Sequence, residues 1–182
     1  VNYEDRGTCI LFGDGAGAAV LTRADEGDEN IVHSSHSHAD GNLAELLYVP
    51  SGGSVMPFTQ ETLDSKEIFV SMKGREIFKH AVRTMSQCCQ EALTANNMTK
   101  DDIDWVIPHQ ANTRIIEAVA KHFDIPMEKV IVNIENMGNT SAATIPVSLH
   151  QAVESGKVKR GDTVLLTAFG AGLTSGSVLL RY

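Results

Sequence analysis

The 182 residues carry 15 Lys and Arg against 23 Asp and Glu, a formal net charge of −8, and 42% of them are hydrophobic. That apolar content suits one folded domain, or a domain and a half, and excludes a disordered chain; the acidic balance argues against a nucleic-acid binder, whose phosphate contacts need basic patches. No apolar run approaches the ~18 to 20 residues that cross a bilayer, and Val1-Asn2-Tyr3-Glu4-Asp5-Arg6 has no signal-peptide pattern.

The three cysteines are Cys9, Cys88 and Cys89. An odd number with two adjacent is a poor disulfide framework and fits a reducing cytoplasm. The first residue is Val and a strand pattern begins almost at once. Both features lead us to expect a chain that starts partway through a larger protein.

The first predicted strand is Thr8-Cys9-Ile10-Leu11-Phe12, followed by Gly13-Asp14-Gly15-Ala16-Gly17 and a second strand over Ala18-Ala19-Val20-Leu21. The small residues between them predict a close backbone approach. No Gly-Lys-Ser/Thr or Rossmann pattern follows, so nucleotide binding is set aside. A polar, acidic stretch from Arg23 to Asn30 marks a boundary, and Ile31 to His38 reads as another strand. His36 and His38 share a face of that strand, but no carboxylate or thiolate clearly completes a metal set; we expect a solvated strand end and no metal. Residues 49–66, with Pro50, Gly52, Gly53 and Pro57, predict a long surface excursion.

The strongest helix signal spans Ser71 to Asn96. Ile77, Phe78, Ala81, Val82, Met85, Cys88, Cys89, Ala92 and Leu93 form one buried stripe, with Ser71 as N-cap. Thr99-Lys100-Asp101-Asp102 suggests a capping box. The strand Trp105-Val106-Ile107 ends at Pro108-His109, and a helix over Ala111 to Phe123 follows. Val130-Ile131-Val132 predicts a short strand, and Ser141 to Glu154 a helix with Pro146 near its start and Gly156 past its end. Thr163 to Ala168, the Phe169-Gly170-Ala171-Gly172 loop and Ser177 to Leu180 complete a chain of alternating strands and helices. That alternation predicts an α/β layered fold, with a mixed sheet flanked by helices and functional residues at strand C-terminal ends.

Two such ends stand out. One apolar run delivers His109 and another delivers Asn139, each followed by a helix. Two hydrogen-bonding side chains at neighbouring strand ends can converge on one oxygen and steady a developing negative charge. No obvious nucleophile accompanies them.

Four stretches in order, Phe12-Gly13-Asp14-Gly15-Ala16-Gly17-Ala18, Val106-Ile107-Pro108-His109-Gln110-Ala111-Asn112, Gly138-Asn139-Thr140-Ser141-Ala142-Ala143 and Ala168-Phe169-Gly170-Ala171-Gly172, closely resemble β-ketoacyl-acyl carrier protein synthase III, the condensing enzyme that starts bacterial fatty-acid synthesis. Asn rather than a second His at position 139 fits this branch of condensing enzymes. The resemblance implies the C-terminal half of a thiolase-like layered fold, residues 30–182, preceded at 1–29 by the last hairpin of the N-terminal half, usually in a homodimer. It implies an acyltransferase with a Cys-His-Asn site. His109 and Asn139 take the His and Asn roles, and the nucleophilic Cys lies in the N-terminal half, before Val1. None of Cys9, Cys88 or Cys89 sits at that position; Cys9 is expected in a buried strand and Cys88-Cys89 on a helix face.

The same resemblance implies no permanently bound cofactor, with a coenzyme A thioester as substrate. Arg6, Gly74, Arg75 and Asn112 would meet coenzyme A, Arg6 at the adenine and Asn112 through a site water. The backbone of Gly170, Ala171 and Gly172 would complete an oxyanion hole. Lys73, Lys79 and Arg114 would meet an acidic acyl carrier protein, although a run of exposed lysines and arginines is also what a wet helix face looks like. The family often has Gly at 171 and Asn at 75, so the pantetheine contact at Arg75 stays open. The implied partners are acyl carrier protein, acyl-CoA and the N-terminal half, in the cytoplasm. Two alternatives remain: a relative that extends a different starter acyl group in secondary metabolism, and a non-catalytic thiolase-like module that binds carrier protein.

Overall fold

Val164, Leu165 and Leu166 give one strand two apolar faces, and both are covered by helices. The structure, a computed structural model, describes residues 1–182. In chain order its elements are β1 (Val32–Ala39), β2 (Leu47–Tyr48), α1 (Gln60–Asp64), β3 (Ser71–Met72), α2 (Gly74–Ala95), β4 (Trp105–Pro108), α3 (Thr113–Phe123), α4 (Ile134–Met137), α5 (Thr144–Glu154), β5 (Thr163–Gly170) and β6 (Thr174–Arg181). Four strands form a mixed sheet in the order β1-β6-β5-β4, antiparallel except that β4 runs parallel to β5. A two-residue ladder joins β2 to β3.

Period-two alternation sends Leu165 and Val106 to one face, where they pack with Cys89, Leu93, Ile116 and Phe123 of α2 and α3. Val164 and Ile107 point the other way, against Ala152 of α5 and Val158. The result is three layers, two helices over the sheet and one beneath it. Each fully buried aliphatic side chain contributes roughly 1.5–3 kcal/mol. The stripe of α2 is buried as its spacing predicts, at Ile77, Ala81, Met85, Cys88, Cys89, Ala92 and Leu93. No helix is long and apolar enough to cross a membrane.

Several elements depart from the sequence reading. The strands predicted at 8–12 and 18–21 do not form, apart from one bridge between Phe12 and Asn139. Ile10 is 72% exposed, Val20 90% and Leu21 81%, so no packed face rewards a ladder there, and a hairpin without a sheet to join is marginal. Cys9 is accordingly half-buried in a turn rather than in a buried strand. Ser71 does not cap α2, because it pairs with Tyr48, and the helix begins after Lys73 with no side-chain cap. The excursion at 49–66 holds the short helix α1, capped by Thr59 through a reciprocal bond with Thr62.

The strand expected at Val130–Val132 stops after one bridge to Val106. There the buried Gln110 side chain takes over the ladder: its Nε2 donates to the Ile131 carbonyl at 3.1 Å, and its Oε1 accepts from Asn133 N at 3.1 Å. Residues 141–143 form a 3-10 turn before α5, with Ser141 at φ 55. Pro146 is then the third residue of α5, where no helical N–H is lost.

Candidate active site

β4 continues past its last rung, as His109 N donates to the Thr167 carbonyl of β5 at 2.7 Å. This fixes the backbone of His109 at the carboxyl end of two parallel strands, the position where α/β sheets gather ligands. Asn139 reaches the same cavity just after the short helix α4. Its N donates to the Leu11 carbonyl at 2.9 Å, and its carbonyl accepts from Gly13 N at 2.9 Å. Gly13 must be glycine for that approach, since a Cβ there would lie 2.2 Å from the Met137 carbonyl oxygen. The close backbone packing expected of Gly13 to Gly17 is therefore what seats Asn139.

His109 and Asn139 line one cavity of about 110 Å3, together with Gly74, Ile77, Phe78, Ala81, Met85, Ala111, Asn112 and Phe169. The walls are mostly apolar, contributed by the first turns of α2 and α3 and by the end of β5. Asn139 Oδ1 accepts from Ser141 N at 2.9 Å, which leaves the amide nitrogen as the free donor at the cavity. His109 Nδ1 lies 2.6 Å from the Thr144 hydroxyl, and Nε2 has no protein partner. Burial pushes the imidazole down from 6.5 to about 4, so the ring is neutral at pH 7. A neutral histidine and an amide in an apolar pocket can donate to an oxygen without carrying charge of their own.

The structure brings together His109, Asn139, Asn112 and Gly74 among the expected site residues. Asn112 is also the N-cap of α3, its Oδ1 accepting from Ile115 N at 3.0 Å. That bond leaves its amide nitrogen to face a ligand or water. Of the predicted loop, Phe169 and Gly170 prove to be the last residues of β5 and only Ala171 and Gly172 lie in the turn beyond it; Phe169 lines the cavity, whereas Gly170, Ala171 and Gly172 do not. Gly172 has φ 135, a conformation that reserves the position for glycine. Lys73 and Arg75 flank the lining residue Gly74, Lys79 lies one turn further along α2, and Arg114 follows Asn112 by two residues. All four cations are exposed and none is in an ion pair, while Arg6 is exposed in the N-terminal turn.

None of the three cysteines lines the cavity. Cys88 and Cys89 are buried in the core, and burial pushes the Cys89 thiol up to about 12. His36 and His38 both reach Glu91 of α2, at 3.4 and 2.6 Å, and the His38 bond holds that carboxyl below the usual range. The sequence reading did not anticipate this carboxylate, which is 53 residues from His38. Sequence reasoning also passed over Thr144 and Gln110. A Gln next to His109 and a Thr five residues after Asn139 were the available signals.

Comparisons with known proteins point to one family. A family described as 3-oxoacyl-[acyl-carrier-protein (ACP)] synthase III C terminal matches residues 93–182, and one described as 3-oxoacyl-[acyl-carrier-protein (ACP)] synthase III matches residues 1–41. The chain is 49% identical over all 182 residues to a β-ketoacyl-[acyl-carrier-protein] synthase III of Alkalilimnicola ehrlichii, covering 54% of that relative. The crystal structure of 3-oxoacyl-[acyl-carrier-protein] synthase III from Aquifex aeolicus superposes with a TM-score of 0.87 at 49% identity, over the whole of this chain and 53% of that one. The enzyme from Pseudomonas aeruginosa gives a TM-score of 0.89 at 38% identity, with 54% of it covered. The chain thus spans about half the length of the curated relatives it matches.

Proposed function

The chain belongs to the β-ketoacyl-[acyl-carrier-protein] synthase III family, with its thiolase-like α/β fold, and from that premise we propose that it forms the enolate-holding half of a condensing enzyme that initiates fatty-acid synthesis. The observation that carries this reading is the pair of unpartnered side-chain nitrogens, His109 Nε2 and Asn139 Nδ2, on one small apolar cavity. The division of the chain is part of the same proposal: residues 1–29 close the N-terminal half and 30–182 form the C-terminal half.

The chemistry runs in two stages. A cysteine thiolate of the N-terminal half attacks the carbonyl of acetyl-CoA or a similar acyl-CoA. The acyl group moves to sulfur and coenzyme A leaves as the thiolate, which takes a proton from solvent. Malonyl-acyl carrier protein then enters, and its carbon–carboxylate bond breaks. Carbon dioxide departs, and the bonding pair passes into an enolate whose negative charge rests on the thioester oxygen. His109 Nε2–H and Asn139 Nδ2–H donate to that oxygen, and each donor contributes roughly 3 to 4 kcal/mol in a dry, preorganised site. The enolate carbon attacks the acyl-sulfur carbonyl and releases the cysteine. The first half of the reaction calls on the Gly170–Gly172 backbone as the oxyanion hole for acyl transfer.

Substrate handling follows from the cations around the mouth. Lys73, Lys79 and Arg114 are exposed near the cavity of a chain whose net charge is −8, so they form a local attraction for an acidic carrier protein. Arg6 and Arg75 are assigned to coenzyme A, with Gly74 and Asn112 at the pantetheine end. No permanent cofactor is called for; the full enzyme works as a cytoplasmic homodimer.

The test joins this chain to the N-terminal half of its family and supplies acetyl-CoA and malonyl-acyl carrier protein. The joined enzyme should release carbon dioxide and form the β-ketoacyl product. The chain by itself should take up no radiolabel from acetyl-CoA. Stable labelling of Cys9, Cys88 or Cys89 would contradict the assignment of the nucleophile to the other half.

A further inference from the structure

A donor at Nε2 requires the single proton of a neutral imidazole to sit on the cavity side. The other nitrogen must then accept. Behind the ring, the Thr144 hydroxyl lies 2.6 Å from Nδ1 and 3.0 Å from the Ser141 carbonyl. It has one proton for two acceptors. The Ser141 carbonyl also accepts from the backbone N–H of Thr144, so it keeps a partner when the hydroxyl proton turns to Nδ1. The hydroxyl proton is therefore available to the shorter contact. Thr144 is fully buried, so its hydroxyl has no water to fall back on.

Thr144 is in turn held by a closed circuit of polar groups. Its carbonyl accepts from the Ser148 hydroxyl at 2.6 Å, which also lies 3.0 Å from Asn133 Oδ1. Asn133 N donates to Gln110 Oε1, and Gln110 Nε2 donates at 2.8 Å to the carbonyl of Pro108, the residue before His109. Gln110, Asn133, Thr144 and Ser148 are all buried. The circuit leaves His109 at its imidazole, passes through α5 and the segment at 131–133, and returns to the backbone beside it.

We propose that Thr144 is the positioning residue of His109: its hydroxyl donates to Nδ1 and holds the ring with its proton on Nε2, facing the cavity. This inference rests on the enolate-holding role proposed above. The distances behind the ring are independent of that role, and the choice of tautomer follows from it. A neutral ring is what the pocket enforces, since burial depresses the imidazole. The opposite arrangement, with Nδ1–H donating to the hydroxyl and the hydroxyl to Ser141, would present a bare Nε2 lone pair to the enolate and repel it.

The test is nitrogen NMR of the histidine rings in the enzyme formed by this chain and its N-terminal half, with His109 assigned by its loss in His109→Gln. At pH 7 the wild type should show Nε2 protonated and Nδ1 as a hydrogen-bonded acceptor. Thr144→Ser should preserve both signals and keep kcat for malonyl-acyl carrier protein decarboxylation within about twofold. Thr144→Val, of nearly the same shape, should shift Nδ1 to the position of an unbonded acceptor. It should also lower kcat roughly 10- to 100-fold, with KM little changed. A protonated Nδ1 in the wild type would overturn the proposal, as would a Thr144→Val enzyme with unaltered kcat. A wild-type enzyme that performs no decarboxylation would instead sink the functional reading, whatever the ring shows.

Discussion

His109 is costly to bury. The imidazole titrates at about 4 in the fold against 6.5 when free, because the charged form loses its water. Unfolding therefore takes up a proton between those two pH values, and stability falls as the pH is lowered through that window. Below pH 4 the loss amounts to on the order of 3 kcal/mol, and above 6.5 it vanishes. Denaturant midpoints measured from pH 7 to pH 4 should fall more steeply for the wild type than for His109→Gln; parallel curves would refute the buried neutral ring. His109 and Asn139 were legible as candidates because each lies in a recognisable motif; His109 does end an apolar strand, whereas Asn139 follows the short helix α4 and Gly138 and not the strand end that the sequence suggested. Thr144 was not legible, since its importance depends on the 35-residue separation that folding closes to 2.6 Å. Glu91, which receives His36 and His38, was hidden for the same reason.

Periodicity made the helices and the central strands readable. The stripe of α2 and the alternation of β5 are local patterns, and each found its expected face. The hairpin predicted in the first 21 residues failed because ladders are not local: a β-prone run needs a neighbour that its own sequence does not specify. The Val130–Val132 strand failed for a subtler reason, as a side chain of Gln110 substitutes for the next rung. The segment around Gly13 nevertheless has a structural task, since it clamps the backbone of Asn139. Gly13→Ala places a methyl against a backbone carbonyl that cannot rotate away, so the clamp should open. We expect decarboxylation in the joined enzyme to drop with Asn139 itself intact; wild-type kinetics in that variant would show that the clamp is dispensable. In the core, Leu165→Ala removes a fully buried side chain shared by the sheet and two helices, and should cost roughly 2–5 kcal/mol in chemical denaturation.

On the scale of the whole molecule, the apolar surface is uneven. Val20 and Leu21 are largely exposed, as are Val55 at 99% and Phe58, on segments outside the main sheet. Surface of that kind seeks cover. Sedimentation of the chain alone should show self-association, and addition of the N-terminal half should convert it to a defined complex; a well-behaved monomer would contradict the expected cover. That cover and the cavity serve one account, in which the thiol comes from one half and the enolate donors from the other. Its most direct test compares two rates in the joined enzyme, acetyl transfer from acetyl-CoA and decarboxylation of malonyl-acyl carrier protein. His109→Ala and Asn139→Ala should each reduce decarboxylation by roughly 10²- to 10³-fold while acetyl transfer remains measurable and much less affected. Equal loss of both rates, or undiminished decarboxylation, would contradict the assignment of these two side chains to the enolate.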